Sequence, residues 1–192
     1  MISLRILLIK ITPPLLFCAL LLLFTASIFT SLAAKADEVM PLVNREYFPV
    51  AHKAMLGAKE SILCVMYMSQ LSVNHPFGGE SLLLRDLIGA NNRGVDVRVI
   101  LEDNPAANNK YAYNFLKDAG VNVSYDTDKM TTHDKLLVID DEYTILGSHN
   151  WTFGGMRTNN EVSVLIKSKE VAKAMRKAFE NIPVKERQED KP

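Results

Sequence analysis

Two short apolar runs separated by acidic residues constrain the fold of this 192-residue chain most strongly. The runs cover residues 136–139 and 143–146, and the residues between them, 140–142, are two aspartates and a glutamate. Apolar runs of this length on either side of a short polar turn are typical of an antiparallel hairpin. The sequence therefore predicts two paired strands over 136–146.

Polar residues at the open end of this hairpin are predicted to converge. Because side chains alternate between the two faces of a strand, His133 shares a face with Lys135, and Ser148 shares one with Asn150. The same alternation predicts that His149 faces away, as a packing or surface residue. An imidazole, an ammonium, a hydroxyl and an amide at one end of a sheet predict a phosphate site that contains a nucleophile.

Helical and strand patterns alternate through the rest of the chain. Helices are predicted over 49–59, 82–92, 110–119 and 171–182, and further strands over 62–68, 95–101, 121–125 and 162–166. Proline and glycine predict a loop over 70–80, and glycine a loop or short turn over 153–159. Strands separated by helices predict a layered α/β sandwich with a mixed β-sheet flanked by helices.

The first 36 residues have the pattern of a targeting segment. Arg5 and Lys10 precede an apolar stretch over 11–32, and Ala34-Lys35-Ala36 has small residues where signal peptidase cuts. We predict a signal peptide over 1–36, engaged with the membrane during export, and a periplasmic or secreted protein. The alternative is an uncleaved membrane anchor, because the stretch approaches the roughly 20 residues that span a bilayer.

The charge of the chain excludes a strongly basic surface. The 22 basic and 22 acidic residues balance, and removal of the first 36 residues leaves 19 basic against 22 acidic residues, a net charge of −3. Nucleic acid would therefore have to bind at a local basic patch. We predict one catalytic domain over 37–183 and a disordered, charged tail over 184–192.

The spacing of polar residues around the hairpin is specific. His133, Lys135 and Asp140 form His-x-Lys-x-x-x-x-Asp, Gly147-Ser148-x-Asn150 follows, and Glu161 lies eleven positions later. This pattern resembles the phospholipase D superfamily. The order of predicted elements is similar to that of its small members with one motif per chain, such as bacterial endonucleases. The resemblance implies a phospholipase D-like fold and a phosphodiesterase.

The resemblance also implies a role for each residue of the site. His133 would be the nucleophile and form a phosphohistidine that water then hydrolyses, and Glu161 would hold its imidazole. Lys135, Ser148 and Asn150 would bind the phosphate. Since a phosphodiester carries a charge that repels nucleophiles, a site without a metal needs such fixed donors and cations. No cofactor and no metal are expected.

Asp140 and the pair His133-Asp134 each allow a second interpretation. Asp140 belongs to the catalytic set of the motif, but its opposite parity and its place in a turn predict that it positions the hairpin. His133-Asp134 is superficially similar to a metal-binding His-Asp pair. The chain has only four histidines, and Lys135 would repel a cation, so a metal site is not expected there.

The sequence leaves the substrate open between two classes. A non-specific nuclease acting on nucleic acid is the leading hypothesis. A phospholipase D or phosphatidyl transferase acting on phospholipids is the alternative, because the N-terminus is directed to a membrane. A non-catalytic phosphate- or nucleic-acid-binding module is the hypothesis of another class, although every residue that the chemistry requires is present.

A single motif per chain predicts self-association. Attack by His133 leaves an alkoxide that needs a proton, and a positioned acid is worth on the order of 10² to 10⁴ in rate. Larger relatives with two motifs use the second histidine as this acid. We therefore predict an obligate homodimer with one shared active site. The alternative is that His75, in the loop over 70–80, supplies the proton within one chain.

Overall fold

The computed structural model describes residues 38–185, except Val73 and Asp128. The predicted signal peptide or anchor over 1–36 lies outside the described residues, as does most of the predicted tail. Within the described ranges, no helix combines the length and the hydropathy that crossing a bilayer requires.

Strands and helices alternate along the described chain. The strands are β1 (Glu38–Val43), β2 (Ser61–Met66), β3 (Asp96–Leu101), β4 (Asn122–Tyr125), β5 (Lys135–Ile139), β6 (Tyr143–Gly147) and β7 (Val162–Lys167). The helices are α1 (Tyr47–Gly57), α2 (Gly79–Asn92), α3 (Lys110–Asp118) and α4 (Lys169–Glu180). Short 3₁₀ turns cover Asn44–Glu46 and Pro105–Ala107, and one π-helical turn covers Gly154–Thr158.

All seven strands form one sheet in the order β1-β7-β6-β5-β2-β3-β4. The pairs β2–β3 and β3–β4 are parallel, and every other pair is antiparallel. The sheet is therefore mixed, as predicted, and the hairpin over 136–146 is confirmed as β5 and β6.

Helices cover both faces of the sheet, which confirms the layered α/β sandwich. Two hydrophobic cores lie on opposite faces of β2. Ile62 and Cys64 pack into the first, and Leu63 and Val65 pack into the second. Helices α1, α2 and α3 cover the first face. Helix α4 covers the second, where Phe179 packs on the sheet. Because β2 is buried on both faces, its apolar residues do not alternate with polar ones.

Strand β1 is the element that the sequence does not predict. Pro41 lies in its middle and cannot donate a ladder hydrogen bond, and Leu42 is its only buried side chain. Proline is tolerated in a sheet at an edge strand. Strand β1 occupies that position, where it pairs with β7 alone.

The beginning of the predicted disordered tail is ordered. Val184 forms an antiparallel bridge with Asp126, and the Lys185 backbone N–H donates to the Tyr125 carbonyl at 2.9 Å. The Lys185 ammonium also pairs with Asp103. The prediction of disorder is therefore wrong for these two residues, which the end of β4 holds.

The β5–β6 hairpin closes with a tight turn of two aspartates. Asp140 and Asp141 have φ of 53° and 49°, and the Glu142 N–H donates to the Ile139 carbonyl at 3.1 Å. Positive φ at both central residues defines a type I′ turn, whose twist matches that of paired strands. Aspartate tolerates this left-handed conformation better than most residues do.

The Asp140 side chain connects this turn to the start of β2. Its carboxylate accepts the backbone N–H groups of Lys59, Glu60 and Ser61 at 2.8–3.2 Å. These contacts agree with the prediction that Asp140 positions the hairpin. Strand β5 separates the turn from His133, and a catalytic role for Asp140 stays a prediction.

We expect Asp140→Ala to lower the free energy of unfolding by about 1–3 kcal/mol, since three N–H groups lose their acceptor. Urea unfolding measures this change. The matched control is Asp141→Ala, which has the same backbone conformation but pairs only with Arg176 at the surface. Turnover per folded molecule should stay within about twofold, and its loss in a stable Asp140→Ala protein would place Asp140 in the chemistry.

Candidate active site

The candidate active site begins with an imidazole beside a buried ammonium. His133 is exposed just before β5, and Lys135, the first residue of β5, is 7% exposed. The Lys135 Nζ lies 3.2 Å from both ring nitrogens of His133 and donates to the His133 carbonyl at 2.7 Å. An accessible ring is therefore held against a fixed cation.

Tyr67 forms the wall behind this pair. Its ring centroid lies 4.4 Å from that of His133, and the Lys135 Nζ lies 4.8 Å from the Tyr67 centroid, within cation–π range. The Tyr67 N–H also donates to the Asp134 carbonyl at 2.9 Å. Tyr67 follows β2, and no motif spacing connects it with His133.

Burial and nearby negative charge shift the pKa of Lys135 in opposite directions. Burial lowers the pKa of the Lys135 ammonium, because desolvation disfavours the charged form, while Asp134 and Glu161 act in the opposite direction. The Glu161 carboxylate thus acts on the same cation that contacts His133. A cation shielded from bulk water interacts more strongly with a bound anion than an exposed one does.

Glu161 itself is buried and engaged on both oxygens. It accepts hydrogen bonds from the Ser148 hydroxyl and, at 2.9 Å, from the Asn159 side-chain amide. The resemblance implies that Glu161 holds the His133 imidazole. In the described structure these two side chains share no hydrogen bond, and Ser148 occupies the carboxylate instead.

Asn150 contributes an incompletely bonded carboxamide. It is half-buried, and its Oδ1 atom lies out of contact with solvent and has no hydrogen-bond partner among the described residues. Buried polar groups are almost always bonded to protein, water or a ligand. Asn150 therefore has bonding capacity for a further group in the site.

His149 is a structural residue of the opposite face, as its parity predicts. Its Nε2–H donates to the Asn44 carbonyl at 2.8 Å, so Nδ1 accepts from the Ser163 hydroxyl at 2.7 Å. The ring stacks on Tyr47 with centroids 4.5 Å apart. Burial lowers the pKa of His149, which favours this neutral tautomer.

Asn44 is a contributor that the sequence pattern does not reveal. Its N–H donates to the Glu161 carbonyl at 2.9 Å, and its Oδ1 accepts the Glu161 N–H at 2.8 Å. Asn44 has a φ of 54°, a left-handed conformation in which asparagine is enriched. That preference is the only local signal, because 117 positions separate the two residues.

Gly147 lets β6 and β7 approach each other beside the site. A Cβ atom at this position would lie 2.4 Å from the Ser163 Cα, so only glycine fits. The close approach allows the Ser148 N–H to donate to the Val162 carbonyl at 3.0 Å. The position of Ser148 against Glu161 therefore depends on Gly147.

A cleft of about 250 Å³ opens next to His133. Its polar end is formed by His133, Asp134 and Lys135. Its apolar wall comes from α4 and the residues just after it, through Met175, Ala178, Phe179 and Ile182. Within the described ranges, no group of three His, Cys, Asp or Glu side chains is arranged to hold a metal ion. Metal independence stays a prediction.

A family model identifies the family to which this fold and site belong. Residues 52–182 match the family model described as "Cardiolipin synthase, PLD-like domain". The chain belongs to this family of the phospholipase D superfamily, which confirms the resemblance inferred from the motif.

The curated relatives are enzymes named for phospholipids. The mitochondrial cardiolipin hydrolases of Canis lupus familiaris and Mus musculus are each 30% identical over 131 residues, which is 68% of this chain and 48% and 55% of theirs. The phospholipase D of Rickettsia prowazekii is 33% identical over 96 residues, 50% of this chain and 46% of its own. The chain spans about half the length of these relatives.

Solved structures show the same fold. Nuc from Salmonella typhimurium, a phospholipase D family member, has a TM-score of 0.65 at 21% identity and covers 77% of this chain and 94% of its own. NucT from Helicobacter pylori has a TM-score of 0.59 at 16% identity, over 77% of this chain and 96% of its own. Both similarities confirm the phospholipase D-like α/β fold.

Proposed function

We propose that this chain hydrolyses phosphodiesters through a covalent phosphohistidine at His133, without a metal ion. The observation that carries the proposal is the exposed His133 ring held 3.2 Å from the Lys135 ammonium. A ring nitrogen attacks phosphorus, and the bond from phosphorus to the leaving alcohol oxygen breaks. Lys135 offsets the negative charge of the phosphate as this happens.

The second half of the reaction regenerates the histidine. Water attacks the phosphorus of the phosphohistidine, the P–N bond breaks, and a phosphomonoester leaves. The alkoxide formed in the first half takes one proton from an acid, and the attacking water returns one to the protein. The two steps together consume one water molecule. They need one nucleophile from the protein, which is His133.

The remaining site residues bind the phosphate and stabilise charge. In the proposal, Ser148 and Asn150 donate to phosphate oxygens when the substrate enters. Ser148 then leaves Glu161, which frees a carboxylate oxygen to stabilise the imidazolium form of His133. This exchange starts from the hydrogen bond that Ser148 donates to Glu161.

Nucleic acid is the substrate class predicted from the sequence, with cleavage independent of base sequence. His133 is exposed at the end of the sheet, so a polymer backbone can reach it without entering an enclosed cavity. Nucleases of this kind bind mainly through the phosphate backbone.

A phospholipid is the second candidate, and a specific observation favours it. The cleft beside His133 has an apolar wall from α4, which suits acyl or glycerol carbon atoms more than a second phosphate. The net charge of −3 after residue 36 supplies no basic field for a polyanion. The names of the curated relatives point to the same class of substrate.

Export is part of the proposal. Residues 1–36 carry the signal-peptide pattern, so we propose a periplasmic or secreted enzyme, with anchoring by the uncleaved segment as the alternative.

An uncovered apolar surface supports the proposed homodimer. Val39, Pro41, Val43 and Val162 are exposed on the α4 side of β1 and β7, and Val39 and Val162 are each 58% exposed. Among the described elements, α4 packs mainly over β5 and β6 and leaves these side chains bare. Val162 directly follows Glu161, so a second copy seated here would lie next to the active site.

We expect His133→Ala to lower turnover by a factor on the order of 10³ or more, because the nucleophile is lost. Hydrolysis of a chromogenic phosphodiester measures it, and phosphorylated His133 should be trapped only in the wild type. His52→Gln is the control, since it removes an imidazole that pairs with Asp86 on the helices. Loss of activity in EDTA that zinc or magnesium restores would contradict the metal-free mechanism.

The substrate class is tested by incubating the protein with DNA, RNA and vesicles of phosphatidylcholine or cardiolipin. A nuclease should cut any sequence and weaken steeply as salt rises, because counterion release drives its binding. A lipid hydrolase should instead depend on how the vesicle surface presents its lipids. Activity on vesicles with none on single- or double-stranded DNA or on RNA would reject the nuclease hypothesis.

A shared active site predicts how mixed chains behave. When wild type is unfolded and refolded with equal His133→Ala, random pairing leaves about a quarter of the all-wild-type rate, because only wild-type pairs are fully active. Independent sites would keep about half. A linear dependence on dose together with a monomeric mass would reject the shared site and favour His75, which stacks on Phe153 in the neighbouring loop.

A further inference from the structure

Two buried carboxyl groups lie behind the segment that carries His133. Glu102 directly follows β3 and is 6% exposed, and Asp126 directly follows β4 and is 2% exposed. The two strands are parallel, with Leu101 opposite Tyr125, so their carboxyl ends place both acids side by side. Neither acid belongs to the motif.

Glu102 is connected to the nucleophile through the backbone. Its Oε2 accepts the Thr132 N–H, one residue before His133, and its Oε1 accepts the Asn104 N–H at 3.1 Å. On the other side of His133, the Asp134 carbonyl accepts the Tyr67 N–H at 2.9 Å. His133 is thus held between one anchor at the end of β3 and another at the end of β2.

Asp126 supports Glu102 from the next strand. Its Oδ1 accepts the Asp103 N–H at 2.8 Å, whereas its Oδ2 is buried and accepts from no N–H or O–H group among the described residues. Asp126 thereby fixes the backbone of Asp103, the residue that directly follows Glu102.

Few other charges face this acid pair. Asp103 precedes the 3₁₀ turn and pairs with Lys185 from the C-terminal segment. From α3, the neutral Asn109 amide donates to the Glu102 carbonyl at 2.8 Å, and from β2 the Met66 carbonyl accepts the Glu102 N–H. On the far side of Thr132 lie His133 and Lys135. Burial, followed by the charge of Asp126, therefore raises the pKa of Glu102.

We propose that Glu102 is a positioning residue that fixes the Thr132 backbone and thereby the attack geometry of His133. This inference rests on the proposed function of His133 as nucleophile. Residues 129–134 form no helix or strand, so the Thr132 anchor is a local determinant of where the ring lies. A displacement of the reacting group by about 1 Å can lower a rate by about a hundredfold.

Three variants of the full chain separate positioning from folding. Glu102→Gln keeps one oxygen for the Thr132 N–H but loses the acceptor of the Asn104 N–H. Glu102→Ala removes the anchor. Asp103→Asn is the matched control, because it removes a neighbouring acid whose side chain pairs with Lys185.

Loss of the contact between Glu102 and Thr132 predicts a particular set of results. In Glu102→Ala, kcat should fall about a hundredfold with little change in KM, and hydrogen exchange of the peptide containing Thr132 should accelerate. Glu102→Gln and Asp103→Asn should keep kcat within a few-fold. If Glu102→Ala does not fold, Glu102→Gln carries the test, because a large loss of its kcat with unchanged hydrogen exchange at Thr132 would contradict an anchor.

The sign of the pH dependence of stability follows from the raised pKa of Glu102. A raised pKa favours the protonated acid in the folded state, so this stabilisation is lost as pH rises above the ordinary value of 4.5 and through the raised one. The melting temperature of the wild type should therefore fall over this window relative to Glu102→Gln. Parallel melting profiles in the two proteins would show that Glu102 is not buried against the backbone as the anchor requires, and would overturn the inference.

The outcomes also separate this inference from the proposed function. If His133→Ala stays active, the proposed nucleophile is wrong whatever Glu102 does. If His133→Ala is inactive while Glu102→Ala has wild-type kcat and wild-type exchange at Thr132, only the positioning role is rejected.

Discussion

The contact between the buried Lys135 ammonium and the exposed His133 ring is the interaction that organises this domain. A buried cation is costly unless it has partners, and Lys135 has the His133 carbonyl and the Tyr67 ring. Each of these partners lies at the end of a different part of the sheet. The pairing of β2 with β5 therefore brings the Tyr67 ring beside the Lys135 ammonium at the end of the sheet.

Support for the site comes from residues that touch no substrate in the proposed mechanism. Asn44 fixes the backbone of Glu161, and Gly147 sets the distance between β6 and β7. Glu102 bonds to the residue before His133. Geometry held by backbone contacts suits an enzyme whose catalysis depends on fixed donors and cations rather than on a mobile loop.

The sequence predicts this domain well where the signal is local or where motif spacing carries it. Alternation placed His133 with Lys135 and turned His149 away, and the apolar runs gave the order of β2 to β7. It fails where a contact joins distant segments. The roles of Asn44, Asn159 and Tyr67 depend on tertiary contacts, and β1 has too little burial to show a strand pattern. For Asp140, parity and the turn position indicate the structural contacts that its carboxylate makes with the start of β2.

The pairing of β1 with β7 has a consequence for the order in which the enzyme matures. Among the described strands, β1 has only β7 as a neighbour, and Asn44, which directly follows β1, bonds to the Glu161 backbone from 117 positions away. Contacts between such distant segments form late, because a long loop must close first. Synthesis from the N-terminus releases Asn44 first and Glu161 117 residues later, so the contact between them forms only after β7 has emerged. The fold thus delays completion of the surroundings of Glu161 until its last strand is available.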